Sequence, residues 1–242
     1  MGSEMCIRDR SKGDEEIFLS DDALANAFSL DGVNSSAARL DFDKMDFINS
    51  KHMMHMSNTE LMNLGHPFFE KRNSAPLNPI AYNRIFAAMD SLKSRSKTYI
   101  ELAEQAHYLM DIRPIALSGK TAKPLKREGA IVLVEALTQS LKALKGLSWS
   151  AEALQELLSD FAAQHELGFG RIGQPVRAAL TGGSPSPDLS LVLALLGQNE
   201  TIARLEDAIA QFGTTLVFKR KYKGIKRYGK QNHAIRHRDA KY

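Results

Sequence analysis

Residues 170–182 read GRIGQPVRAALTG, and this stretch is the most informative part of the sequence for the fold. Gly182 is typical of a helix end, because glycine adopts the left-handed backbone that closes a helix. Pro187 suits the opening of the next helix, where a missing N–H costs nothing. The pattern predicts a corner that holds two helix ends close together, with Arg171 and Arg177 on the first helix.

Helical patterns continue on both sides of this corner. In residues 199–212, where Asn199 is a suitable cap, four apolar residues share one stripe: Ile202, Leu205, Ile209 and Phe212. Residues 150–164 repeat apolar positions at helical spacing behind Ser150, a favoured N-cap residue. Trp149 has the spacing of a hydrophobic staple with a leucine inside that helix, so we expect a structural role for it.

The rest of the chain also favours helix. Asn78 followed by Pro79 is typical of a helix start and predicts a helix over 79–92. Alternating strand patterns and hairpin signals are scarce. Further helices are predicted at about 20–29, 43–54, 98–110 and 127–145. The predicted fold class is therefore all-α, a helical bundle.

Short motifs around the corner resemble those of a known family. They are, in order, GRIGQPVRAALTG at 170–182, SPDL at 186–189 and ALLG at 194–197. A second set lies upstream: DEEIF at 14–18, FSLDGV at 28–33, SSAA at 35–38 and DFDKMDFIN at 41–49. Together they resemble the anticodon-binding end of bacterial glutamyl-tRNA synthetases, which are class I enzymes, over roughly residues 11–212. The resemblance implies a helical bundle of that anticodon-binding type.

The ATP-binding signatures of that family are not found in the sequence. They are an H-I-G-H-type turn and a K-[ML]-S-K-[RS] loop, and the nearest approach, SRSK at 94–97, lacks the leading lysine. The resemblance implies that the complete enzyme uses ATP and magnesium to attach glutamate to tRNA. We therefore expect a chain that begins just downstream of the active site, has no catalytic residue or cofactor of its own, is inactive alone, and depends on a separate or missing catalytic half.

The resemblance also implies which side chains contact the tRNA specific for glutamate. Arg177 would contact an anticodon base, and Ser186, Pro187 and Leu189 would line the same pocket. A guanidinium suits this task, because its planar fork pairs with a base edge or stacks on it. Without the resemblance, the favoured interpretation of Arg177 would be a salt-bridge residue on a helix surface.

Two further arginines are candidates for tRNA binding. Arg95 precedes KTYIEL at 97–102, which is similar to a family K-T-x-x-E-L run, and would help to read another anticodon base. Arg171 lies six residues before the corner arginine and therefore on a different helix face. Lys93 and Lys97 could bind phosphates or simply solvate an exposed turn.

The resemblance implies five segments along the chain. Residues 1–10 fall outside the family pattern and are expected to be a non-native leader. Residues 11–70 would be the last part of the region that lies beside the acceptor-side stem of the tRNA. Residues 71–149 and 150–212 would be the first and second helical subdomains that bind the anticodon. Residues 213–242 would form a basic, disordered tail.

Positive charge is concentrated in this tail. It carries ten Lys or Arg against Asp239 alone, a net charge of +9, and subtracting this from the whole-chain +4 leaves −5 for residues 1–212. With its three tyrosines the tail could neutralise phosphates and stack on bases. A solvated extension with no RNA role is the other interpretation.

Two alternatives to tRNA binding follow from these observations. The negative charge of the main part is compatible with a helical scaffold or adaptor protein that has no RNA function, because a dedicated RNA binder shows a basic face. Clustering of Arg95, Arg171 and Arg177 on one surface would favour RNA binding, and their dispersal would favour the scaffold. An enzyme of another class would need paired acid and base groups, which the sequence does not show.

Other kinds of site are disfavoured. Cys6 is the only cysteine, so neither an intramolecular disulfide nor a cysteine-based metal site can form. His52, His55 and His66 could bind a soft metal, but no carboxylate or cysteine completes the set and we expect no metal. The G-x-G-x-x-G pattern at 168–173 follows a helix where dinucleotide binding needs a strand. No apolar run reaches the length of a membrane span, so we expect no membrane partner and a cytoplasmic location.

Overall fold

The computed structural model describes residues 18–29, 41–144, 149–183 and 186–213. Within these ranges the secondary structure is ten helices without a strand, which confirms the all-α prediction. The helices are α1 (Asp21–Ala27), α2 (Phe42–His55), α3 (Asn58–Asn73), α4 (Pro79–Lys93), α5 (Tyr99–Met110), α6 (Ala130–Ala143), α7 (Ala151–Gln164), α8 (Phe169–Thr181), α9 (Leu189–Leu196) and α10 (Gln198–Gly213). The predicted leader, and the predicted tail beyond Gly213, lie outside the described residues.

Polar side chains begin several helices at the predicted positions. The Asn78 side chain accepts a hydrogen bond from the Ala81 N–H at 2.8 Å, and Pro79 is the first residue of α4. Ser150 accepts one from the Ala153 N–H at 3.3 Å at the start of α7. Each such cap contributes about 1 kcal/mol, because it satisfies a backbone donor that the helix itself leaves unpaired. The predictions for α4 and α7 are confirmed.

Helix α3 was not among the helices that the sequence predicted. Its interior contains Pro67, which lacks the N–H of a regular helical hydrogen bond. The helix is nevertheless well started by a capping box, in which Ser57 and Glu60 each bond the backbone N–H of the other. The helix therefore tolerates its proline behind a strong N-terminus.

Two predicted helix starts were wrong by a few residues. Helix α6 begins at Ala130, three residues later than expected, because Gly129 has a φ of 77°, outside the helical region. Helix α10 begins at Gln198, and the first helical carbonyl belongs to Gly197, which accepts from the Thr201 N–H at 3.0 Å. Asn199 is therefore inside the first turn, and its predicted role as cap is wrong.

The helices pack in two groups that share one continuous core. In the first group α3 and α4 pack against α5, with α2 on α4; in the second, α6 packs against α8 and α10, and α7 against α9. Contacts between α4 and α9 join the groups, and one cluster of buried apolar residues extends from Met53 to Ala208. Each fully buried aliphatic or aromatic side chain in it contributes about 1.5–3 kcal/mol.

Trp149 connects α7 to α9. Its indole Nε1 donates a hydrogen bond to the Leu193 carbonyl at 2.9 Å, and its ring packs against the core. The predicted structural role of Trp149 is therefore confirmed, and this contact helps to seat α9, the helix that follows the corner.

Candidate nucleic-acid interface

The corner between α8 and α9 depends on two glycines with left-handed backbone. Gly182 closes α8 with a φ of 64°, and Gly183 follows with a φ of 81°. A Cβ atom on Gly183 would lie 3.1 Å from the Thr121 Cβ, so the corner presses closely on the turn before α6. Helix α9 begins at Leu189, two residues after Pro187. The predicted meeting of two helix ends is confirmed.

Arg177 is fixed to the far side of this corner. Its Nη1 donates to the Ser186 carbonyl at 3.0 Å and also bonds the Ser186 Oγ and the Pro187 carbonyl. The side chain is half-buried, and this burial lowers the pKa of Arg177, while the nearby Asp188 carboxylate opposes the shift. Arginine stays charged under such conditions. A cation is thus held in place at the corner.

Arg95 and Tyr108 lie beside Arg177. The like charge of Arg95 is near enough to lower the pKa of Arg177 further, and both guanidiniums act on the Tyr108 hydroxyl. Arg95 belongs to the turn between α4 and α5, where its Nε donates to the Ser91 carbonyl at 3.0 Å. Burial raises the pKa of Tyr108 to about 12, although the positive charges of Arg95, Arg177 and Arg204 act to lower it. Two of the three candidate arginines therefore come together.

Arg204 stabilises the end of α8, from which the corner starts. Its side chain is fully buried, and its Nη1 donates to the Tyr108 and Leu180 carbonyls, each at 2.7 Å, while Nη2 donates to the Asp111 carbonyl at 3.1 Å. These oxygens belong to the carboxyl-terminal ends of α5 and α8, where helices leave carbonyls unpaired and carry partial negative charge. One guanidinium therefore closes two helices and fixes the end of α8 from which the corner starts.

Glu200 balances the buried charge of Arg204. Its Oε1 lies 2.7 Å from Arg204 Nε, and its Oε2 lies 3.9 Å from Arg84 Nη2. Arg84 in turn donates to the Leu196 carbonyl at 2.9 Å, at the carboxyl-terminal end of α9. Sequence reasoning missed Arg204 and Arg84. The four-residue spacing of Glu200 and Arg204, which is that of a helical ion pair, is a signal that could have found the first.

Residues 60–209 match the family model described as "Anticodon binding domain". The chain belongs to the anticodon binding domain family. The corner and its arginine pair lie within the matched range, as do the helices from α4 to α9.

Relatives of this anticodon binding domain chain are glutamate-tRNA ligases. The sequence is 43% identical over 198 residues to glutamate-tRNA ligase 2 of Maricaulis maris, covering 81% of this chain and 41% of that protein. It is 40% identical over 200 residues to glutamate-tRNA ligase 2 of Rhodospirillum centenum, covering 82% of this chain and 42% of that protein. The chain thus spans about two fifths of the length of these relatives.

Solved structures share the fold of this anticodon binding domain chain. A glutamate tRNA ligase from Elizabethkingia meningosepticum superposes with a TM-score of 0.71 at 23% identity, over 87% of this chain and 40% of that one. The glutamate-tRNA synthetase of Elizabethkingia anophelis gives a TM-score of 0.68 at 22% identity, over 86% and 39%. At these identities the likeness concerns the fold, which is the predicted helical bundle.

The remaining predicted contacts occupy different positions in the anticodon binding domain. Leu189 is 2% exposed and packs into the core, so it shapes the corner from inside. Arg171 is exposed in the first turn of α8, about 9 Å along the helix axis from Arg177. Lys93 is held by Asp90 at 3.0 Å and by the side chain of Asn58 at 3.1 Å.

In the described part of the chain, no three or more His, Cys, Asp or Glu residues come together in a way that could hold a metal ion. None of the described helices combines the length and the apolar character that crossing a membrane requires.

Proposed function

We propose that this chain binds the anticodon loop of a tRNA through the corner between α8 and α9. The observation that carries the proposal is the Arg177 guanidinium, fixed by Ser186 and Pro187 inside an anticodon binding domain. A side chain that is already ordered loses less conformational freedom on binding, so more of its interaction energy contributes to affinity. Unpaired nucleotides of an RNA loop present base edges and faces that such a planar cation can bond or stack on.

The candidate residues divide into three roles in this proposal. Arg177 and Arg95, which lie near each other, contact bases of the loop. Ser186 and Pro187 orient Arg177 through their oxygens, and Leu189 holds the corner in shape from the core. The exposed Arg171 contributes one phosphate contact, which positions the RNA without reading its sequence.

The tRNA in this proposal is the one specific for glutamate. The relatives named above are glutamate-tRNA ligases, and the matched region covers about two fifths of them. In the proposed assembly this chain supplies recognition of the anticodon, and the attachment of glutamate with ATP and magnesium takes place in the part of a ligase that lies outside the matched region. Binding at the anticodon orients the distant acceptor end for reaction, which is the general advantage of positioning.

The proposal is tested by titrating the full chain with two RNA stem-loops that differ only in the anticodon, at two salt concentrations. We expect preference for the glutamate anticodon, and we expect Arg177→Ala to weaken that binding about tenfold or more, the size of one good base contact. Arg177→Lys keeps the charge but loses the planar fork, so it should retain part of the affinity and lose the preference.

Two variants separate the interpretations. Arg72→Ala removes one positive charge of the same type at an ion pair with Glu104, and should leave the preference for the anticodon unchanged. Ser186→Ala removes one of the oxygens that hold Arg177, and should give a smaller loss than Arg177→Ala. Equal and steeply salt-dependent binding of both RNAs would limit the activity to non-specific charge attraction, as expected of the basic tail. Absence of binding would favour the helical scaffold.

A further inference from the structure

Three buried polar atoms on α5 and the turn before it have no hydrogen-bond partner within the described residues. They are Arg95 Nη2, Gln105 Oε1 and the Tyr108 hydroxyl oxygen. Buried polar groups in native proteins are nearly always paired, so each exception calls for an explanation, such as a ligand or an ordered water. Three exceptions in one part of a molecule are more informative than one.

These three residues share one region of the fold. Gln105 and Tyr108 lie three residues apart on α5, a spacing that makes them neighbours on the helix surface. Arg95 comes from the turn before α5 and lies near enough to Tyr108 to influence its hydroxyl. Arg177, from α8, acts on the same hydroxyl. Two helices and a turn thus bring four polar side chains into one neighbourhood.

The unpaired atoms are chemically complementary to a nucleobase. Arg95 Nη2 is a donor, Gln105 Oε1 is an acceptor, and the Tyr108 hydroxyl can do both. The Watson–Crick edge of every base presents donors and acceptors side by side, and RNA-binding proteins read unstacked bases through such edges. Arg95 and Gln105 are partly exposed, whereas Tyr108 is fully buried. A rotation of either partly exposed side chain would bring its buried atom to a base, whereas Tyr108 can act only through them.

We propose that Arg95 and Gln105 read the edge of one unpaired nucleobase of the bound RNA, and that Tyr108 is the positioning residue that holds them in the reading geometry. This inference rests on the proposed function, and adds Gln105 and Tyr108 to the site. In the free chain the three atoms have no partner within the part of the chain that the structure describes. In the complex the base supplies partners to Arg95 and Gln105, and the Tyr108 hydroxyl bonds whichever of the two turns toward it.

Substitution of Tyr108 in the full chain should weaken RNA binding without lowering stability. Tyr108→Phe removes a hydroxyl that has no partner among the described residues, so the thermal unfolding midpoint should stay the same or rise. The same variant should bind the glutamate anticodon stem-loop about tenfold more weakly, the size of one hydrogen bond to a charged group. Gln105→Met, which keeps the shape and removes the polar atoms, should behave in the same way.

Tyr99→Phe is the matched control. Tyr99 lies on the same helix, and its hydroxyl donates to the Met56 sulfur at 3.5 Å, at the opposite end of α5 from Tyr108. We expect this variant to leave both RNA affinity and anticodon preference unchanged. The coupling of Tyr108 to Arg95 is measured by combining Tyr108→Phe with Arg95→Lys. The double variant should bind RNA no more weakly than the single variant with the larger loss, because both changes disrupt the same set of contacts.

The outcomes separate this inference from the proposed function. If wild type binds the glutamate anticodon selectively and Arg177→Ala weakens it, but Tyr108→Phe and Gln105→Met bind like wild type, only the inference is overturned. The same holds if losses in the Tyr108 and Arg95 variants simply add. If Tyr108→Phe lowers RNA affinity and the unfolding midpoint together, its role is structural and the inference is overturned as well. If wild type shows no preference for the anticodon, both proposals fail.

Discussion

Arg204 and Arg177 bond oxygens at the end of α8 and at the corner that follows it, and their surroundings differ. Arg204 is fully buried, and its guanidinium is paired with Glu200 and with the carbonyls of two helix ends. Arg177 is only half-buried and bonds oxygens of a surface corner, and the nearby Tyr108 hydroxyl and Arg95 Nη2 have no partner among the residues that the structure describes. Two residues of the same type are thus distinguished by how fully their surroundings satisfy them, and we assign Arg204 to the architecture and propose Arg177 for binding on that basis.

The largest expected effect concerns Arg204. Arg204→Met keeps much of the side-chain volume but leaves Glu200 and several helix-end carbonyls without their partner, so we expect a loss of about 3–5 kcal/mol in the free energy of unfolding. Urea denaturation followed by circular dichroism measures it. Arg72→Met, at an ion pair with partly exposed side chains, should cost about 1 kcal/mol or less. Similar losses in the two variants would contradict the assignment of Arg204 as the structural arginine.

The next effect is a pH dependence at Tyr108, which is adjacent to both arginines. Burial raises the pKa of Tyr108 from 10.0 to about 12 in the folded chain. The folded state therefore holds the Tyr108 proton more tightly than the unfolded state. The resulting contribution to the free energy of unfolding is complete below pH 10 and is lost as the pH rises toward 12. We expect a loss of about 2–3 kcal/mol over that interval. Urea unfolding at several alkaline pH values should show a steeper decline for wild type than for Tyr108→Phe; parallel declines would contradict it.

A smaller effect on stability is expected at Arg177. In Arg177→Ala the oxygens of Ser186 and Pro187 lie near the surface and can bond water, so the free energy of unfolding should fall by about 1 kcal/mol or less. The same variant is expected to lose about tenfold or more in RNA affinity, as described above. A thermal melt and an RNA titration on one preparation give both values. A stability loss as large as that of Arg204→Met would remove the distinction between the two arginines.

The smallest effect is expected at Arg171. This side chain is exposed, so Arg171→Ala should change the free energy of unfolding by no more than about 0.5 kcal/mol. Loss of one phosphate contact should lower RNA affinity equally for all anticodons and reduce the slope of log affinity against log salt by about one. A change in anticodon preference in this variant would show that Arg171 reads a base.

Much of this fold follows from local chemistry in the sequence. Asn78 with Pro79, and Ser150, are caps that act on neighbours only three residues away, and so their helices could be predicted. Helix α3 was not predicted, although the capping box of Ser57 and Glu60 is an equally local signal. Its start therefore follows from local chemistry as well, in spite of the internal Pro67.

The site could be predicted only in part, because its geometry is non-local. The resemblance pointed to Arg177 and Arg95, but their proximity depends on how the fold brings α8 and the turn before α5 together, which no spacing in the sequence reveals. The role of Arg204 depends on carbonyl groups 24 and 96 residues away. Backbone acceptors carry no sequence signature, so a buried arginine that closes distant helices cannot be recognised before the fold is known. The division of the chain at residue 149 stays a prediction.

The hydrogen bond from Trp149 to the Leu193 carbonyl has a consequence for observing this molecule in solution. Trp149 is the only tryptophan in the chain, so its indole dominates the intrinsic fluorescence. That emission reports on a single junction, the one between α7 and α9, seven residues along the chain from the Ser186 whose oxygens hold Arg177. The chain therefore contains its own optical reporter beside the corner, and RNA that displaces α9 would be detected without a label.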